Sequence, residues 1–138
     1  MEKQRLIDAA LDARSHSYCP YSDFAVGAAL LTADGKIYTG ANIESASYTP
    51  TVCAERVATF TAVHAGEREF AAIAIVGGKA GEAVSDFCPP CGVCRQVLAE
   101  FCEGNMPVLL YNGNEIRERT LAELLPDTFD KSQLKRGI

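Results

Sequence analysis

Three cysteines carry the chemistry suggested by this sequence. Cys91 and Cys94 stand three residues apart, and Cys53 lies upstream in the stretch Cys53-Ala54-Glu55-Arg56. Two cysteines at that spacing in the first turn of a helix share a face and can grip one tetrahedral metal ion. Alone, the pair fits a redox dithiol or a structural zinc site as well as a catalytic one, and Cys88-Pro89-Pro90-Cys91 repeats the spacing in another register. Cys53, at the start of a second helix, turns the reading toward catalytic Zn²⁺, because three protein sulfurs leave the fourth tetrahedral position to water. Zinc lowers the pKa of such a water to about 7. Glu55, two residues from Cys53, is placed to move protons beside the ion without ligating it. Cys88 reads as a free thiol, since a fourth sulfur would close the water position.

Three thiolates overcompensate a divalent cation, and the surplus negative charge would blunt its power to acidify water. Two helix N-termini, each equivalent to about half a positive charge, offset part of it. Arg56 and Arg95 follow ligand cysteines and can donate to the sulfurs; Arg56 is the expected neutraliser.

These residues need positioning elements. Leu6, Ile7, Ala10 and Leu11 recur at helical spacing, which predicts an amphipathic helix from Glu2 to about Ser15. Phe24–Thr32 and Lys36–Ala41 are β-leaning runs around Ala33-Asp34-Gly35, the pattern of a hairpin. A helix opens at Pro50 or Thr51 and runs to about Ala65, carrying Cys53 and Glu55 in its first turn. Phe70–Val76 is apolar without helical spacing, so it reads as a central strand buried on both faces, followed by a loop from Gly77 to Pro90. Cys91–Phe101 is a second helix beginning at cysteines, Met106–Tyr111 a strand, Asn112-Gly113 a turn, and Thr120–Leu125 a short helix with a capping box from Thr120 to Glu123. The order predicts an α/β fold: a three-layer αβα domain, single over residues 1–138, around a mixed, roughly five-stranded sheet.

Composition narrows the function. At 138 residues, with 48% hydrophobic and 22% charged side chains, the chain suits one compact core that needs no disulfides. The charged start has no signal-peptide pattern and no segment is apolar enough to span a membrane, so the expected location is cytoplasmic, with no membrane partner. Six cysteines there point to metal or redox chemistry. A formal net charge of −5, with basic residues gathered only around Lys131, Lys135 and Arg136, offers nucleic acid no footprint. A small uncharged substrate suits it. His16 and His64 read as surface or capping groups, and Cys19 and Cys102 as packing residues.

Asn42-Ile43-Glu44, Cys53-Ala54-Glu55-Arg56 and Pro90-Cys91-Gly92-Val93-Cys94-Arg95-Gln96-Val97 resemble the signature elements of the small, homotetrameric, zinc-dependent cytidine deaminases, and Tyr21-Ser22, Val26-Gly27-Ala28 and Glu123-Leu124-Leu125-Pro126 extend the likeness over nearly the whole chain. The resemblance implies hydrolytic deamination of cytidine and deoxycytidine to uridine and deoxyuridine with release of ammonia, a pyrimidine-salvage reaction, with Glu55 as the catalytic proton carrier. It also implies that Phe24 packs on the pyrimidine, that Asn42 and Glu44 bond the ribose 3′-hydroxyl, and that the Ala54 backbone contacts the base. Tyr48 and Phe129 match positions that reach a neighbouring subunit's site. Other readings are a deaminase of a cytosine-containing antibiotic or modified nucleoside, a zinc-stabilised binding module, and a dithiol oxidoreductase using Cys88, Cys91 and Cys94.

Overall fold

The structure, a computed structural model, describes residues 1–135; Arg136 of the basic tail lies outside them. Five strands form one mixed sheet in the order β2-β1-β3-β4-β5. They are β1 (Phe24–Thr32), β2 (Ile37–Ala41), β3 (Phe70–Lys79), β4 (Pro107–Tyr111) and β5 (Ile116–Thr120). Within the sheet only the β3–β4 pairing is parallel, and α3 (Gly92–Phe101) spans that crossover.

β3 is the central strand, and its apolar run divides by alternation. Ala72, Ala74 and Val76 pack with Leu6, Ile7 and Ala10 of α1 (Lys3–Arg14) on one face. Ile73 and Ile75 pack on the other with Ala54, Ala58 and Ala62 of α2 (Ala54–His64) and Leu98 of α3. Helices on both faces make the expected three layers. The small residues on α2 let it lie close to the sheet, and Gly40 on β2 is the contact point: a Cβ there would come within 2.5 Å of Ala58 N and 2.6 Å of Ala54 O.

Cys91 is the N-cap of α3, not part of its first turn, and two further boundaries depart from the sequence reading through strand pairing. Val52 exchanges backbone bonds with Ile43 (2.9 and 3.0 Å), which keeps the chain extended past Pro50 and Thr51. The helix therefore begins at Ala54, with Cys53 as its N-cap (φ −77°, ψ 155°) and not inside its first turn. β3 continues through Gly77–Lys79, read as loop, because those residues pair with Phe24–Val26 of β1. The short helix α4 (Leu121–Leu124) carries the expected Thr120–Glu123 capping box, and a further helical segment, α5, covers Lys131–Lys135.

Candidate metal centre

Cys53 and Cys91 occupy equivalent places, the N-caps of α2 and α3, and Cys94 lies one turn into α3 with no exposed surface. Packing α2 and α3 on the same face of the sheet brings the caps together. The Cys53 and Cys91 Sγ atoms are 3.7 Å apart, and all three sulfurs lie within 4.8 Å of one another. Sulfurs bound at about 2.3 Å to a tetrahedral ion are separated by about 3.8 Å, so the donor set fits Zn²⁺ in spacing and in chemistry. Among the described residues, no other side chain joins this cluster. Cys88 stands apart from it, packed against the α2–α3 core with its thiol pushed up to about 12 by burial.

The electrostatics follow from the same geometry. Arg56 Nη2 donates to Cys53 Sγ at 3.5 Å. Hydrogen bonds from the Cys94 thiol and the Arg56 guanidinium hold Cys53 well below the usual thiol value, and the shared bond pushes Cys94 up. Arg56 Nε is buried without a partner, and among the described residues no carboxylate forms an ion pair with this cation. Arg95 does something else: its Nε donates to Pro90 O (2.7 Å) and its Nη1 to Leu124 O (2.6 Å), bracing the approach to Cys91 against α4. Glu55, in the first turn of α2, is 4% exposed, and burial, with the Cys53 charge adding to it, pushes its carboxyl up to about 6. A carboxyl raised toward neutrality can take up a proton and release it again within one turnover.

The residues expected at the substrate form a second group. Asn42 Nδ2 donates to Phe24 O at 2.8 Å, while its Oδ1 accepts from Val26 N at 2.9 Å and from the Ser17 hydroxyl. One amide hydrogen of Asn42 stays available. Glu44 accepts from Tyr21 N (3.0 Å), Ser22 N (3.1 Å) and the Ser22 hydroxyl, which hold its carboxyl below the usual range. A cavity of about 390 Å³ opens between Tyr21, Ser22, Glu44 and Tyr48.

Ala54 is fully buried at the first position of α2, next to the Cys53 cap. Phe24 is 43% exposed, at the start of β1. Tyr48 and Phe129 project from the surface, 73% and 59% exposed. Tyr48 stands edge-on to Tyr21 in a left-handed conformation (φ 62°) that is rare for a bulky residue. Phe129 is tied to α3 through its carbonyl, which accepts from Gln96 Nε2 at 2.8 Å.

Two contributors had no chemical signal in the sequence. Ser22 was legible only as part of a motif, yet its hydroxyl joins Glu44 to the Phe24 backbone. Gly77 is the other: a Cβ there would sit 2.7 Å from Cys88 Sγ and 3.2 Å from Phe24 Cε2, so its hydrogen gives both side chains their places.

The family described as the cytidine and deoxycytidylate deaminase zinc-binding region matches residues 1–110. A cytidine deaminase of Sporosarcina psychrophila is 50% identical over 135 residues, covering 97% of this chain and 96% of the relative. One of Halalkalibacterium halodurans is 49% identical over 130 residues, 94% of this chain and 95% of the relative. The crystal structure of cytidine deaminase from Burkholderia pseudomallei superposes with a TM-score of 0.85 at 48% identity, covering 94% of this chain and all of that one. From this match in sequence and fold, and from a three-sulfur centre at two helix caps, the chain belongs to the cytidine deaminase family.

Proposed function

We propose that the protein deaminates cytidine and deoxycytidine hydrolytically, giving uridine or deoxyuridine and ammonia. The observation that carries this reading is the convergence of Cys53, Cys91 and Cys94 within 4.8 Å beside buried Glu55. The three sulfurs hold Zn²⁺, which supplies the Lewis acidity that makes water nucleophilic near neutral pH. Glu55 takes a proton from the water that adds to C4 and delivers it to ring N3, then carries the proton of the new C4 hydroxyl to the amino group, which leaves as ammonia as the C4=O bond forms. Its burial supports a carboxyl that changes protonation within one turnover. Arg56 tempers the charge on the sulfurs, and the dipoles of α2 and α3 act in the same direction.

Phe24 packs on the pyrimidine, the Ala54 backbone contacts its edge, and the remaining hydrogen-bonding capacity of Asn42 and Glu44 serves the sugar 3′-hydroxyl. Tyr48 and Phe129 complete a neighbouring subunit's pocket in a homotetramer. Their exposure supports this, as does an apolar groove of about 410 Å³ on α2 and α3, bordered by Phe60, Val93, Val97 and Phe101. We read residues 1–138 as one domain, supported by the single sheet. Six free thiols suit a reducing, cytoplasmic setting for pyrimidine salvage. Among the described residues no helix is long and apolar enough to cross a membrane.

Purified protein is expected to contain about one zinc per chain and to shift the ultraviolet spectrum of cytidine to that of uridine. A zinc-loaded tetramer that leaves both cytidine and deoxycytidine unchanged contradicts the reading.

A further inference from the structure

Phe24 is held by its backbone on both sides. Its carbonyl accepts from Asn42 Nδ2 at 2.8 Å, and its N–H donates to the Ser22 hydroxyl oxygen at 3.0 Å. That same hydroxyl donates to Glu44 Oε2, while the Ser22 and Tyr21 N–H groups donate to Glu44 Oε1. One serine oxygen therefore lies between the carboxylate assigned to the sugar and the backbone of the ring assigned to the base.

Beyond these bonds the segment is tied at its strand end, where Phe24 pairs with Lys79 of β3. Tyr21, Ser22, Asp23 and Phe24 are all exposed, so burial does not define their path. Asp23 adopts a left-handed conformation (φ 58°), which an L side chain resists, immediately before Phe24. Two backbone bonds flank the turn, from Asp23 N to Cys19 O (3.0 Å) and from Ala80 N to Asp23 O (2.9 Å), and neither reaches Glu44 or Phe24 N. Glu44 is anchored from its own side, where its N–H donates to Tyr18 O at 2.9 Å. Its carboxylate is thus a fixed post to which the loop is tied, and three donors leave room for one more, such as a sugar hydroxyl.

We infer that Ser22 is a positioning residue for the deamination, its hydroxyl locking Glu44 and Phe24 into one frame so that sugar and base are aligned together. This rests on the reading of Glu44 as a sugar ligand and of Phe24 as the base-packing ring. Without the hydroxyl, Phe24 N loses its acceptor and Glu44 Oε2 its donor. The carboxylate can then rotate from the sugar and the ring can drift from the base. A substrate without the 3′-hydroxyl has no contact with Glu44 to lose, so only the ring's share of the effect remains.

The test compares wild type, Ser22→Ala and Ser22→Thr on cytidine and on 3′-deoxycytidine, with hydrogen exchange of the Phe24 amide measured on the same zinc-loaded proteins. Ser22→Ala is expected to raise KM for cytidine about tenfold with kcat changed less than about threefold, the size expected for a lost hydrogen bond to a charged group. The loss on 3′-deoxycytidine is smaller, Phe24 exchange is faster, and Ser22→Thr restores all three. An unchanged KM for cytidine, or equal losses on the two substrates, overturns the inference, as does unaltered Phe24 exchange. A wild type inactive on cytidine refutes the assigned activity instead, and the exchange measurement still decides whether Ser22 fixes Phe24.

Discussion

The sulfurs of Cys53 and Cys91, 38 residues apart along the chain, lie 3.7 Å from each other at the caps of two helices packed on the same face of the sheet. Neither cap residue bonds its own helix through its side chain. Both sulfurs are thereby left to a shared ion, while the helix N–H groups behind them contribute positive potential.

Ligation should follow membership of this cluster. Cys88→Ala retains about one zinc per chain, whereas Cys91→Ala retains far less and melts at a lower temperature, because metal binding and folding are coupled. Metal analysis beside thermal melts checks this. Loss of zinc from Cys88→Ala would place that sulfur among the ligands.

Arg56→Gln removes the one cation on the Cys53 sulfur among the described residues. Zinc affinity, measured by competition with a chelator, should fall about ten- to a hundredfold, the usual cost of losing a partner that supports a metal ligand. Unchanged affinity would show that the helix termini alone balance the thiolates.

Gly77→Ala forces a methyl against Cys88 Sγ and Phe24 Cε2. We expect about 1–3 kcal/mol of destabilisation and a raised KM, since the displaced ring is the one proposed to pack on the base. Adding Cys88→Ala should recover part of the stability by clearing the Sγ contact, the Cys88 Cβ remaining 3.0 Å away. A Gly77→Ala variant with wild-type melting and KM contradicts this packing.

Cys102 is pushed up to about 12 by burial, with nearby Glu103 adding to the effect. The folded state therefore keeps a proton that the unfolded thiol releases near about 8.5. The contribution is fully present below that value and fades as pH rises toward 12. Replacing Cys102 with Ala should flatten the alkaline decline in stability between those limits, and in the native protein Cys102 should resist alkylation at neutral pH. Rapid native-state labelling would contradict this raised thiol.

Patterns with one physical cause were legible in the sequence. β1 begins and ends where its β-leaning run does, at Phe24 and Thr32, and the Thr120–Glu123 capping box forms as its spacing requires. The zinc cluster was legible because sulfur has few reasons to recur at helix starts. Boundaries set by distant partners were not: Pro50-Thr51 reads as a helix start, but pairing of Val52 with Ile43 delays the helix to Ala54. Gly77 reads as a strand end, yet β1 carries β3 on to Lys79. Arg56 and Arg95 both follow ligand cysteines, Arg56 being the expected neutraliser, and packing sends Arg56 to a sulfur and Arg95 to Pro90 O and Leu124 O. Ser22 is a common loop residue whose partners, Glu44 and Phe24, meet only after folding.

The central claim, a three-cysteine zinc centre served by a buried proton carrier, is tested most directly by zinc content and cytidine turnover of wild type beside Glu55→Gln. Glu55→Gln should keep about one zinc per chain and the wild-type fold while losing at least about a hundredfold in kcat, the lower range for removing a general acid–base group. Retention of near-wild-type turnover by this variant, or a wild type that is active without bound zinc, would contradict the account.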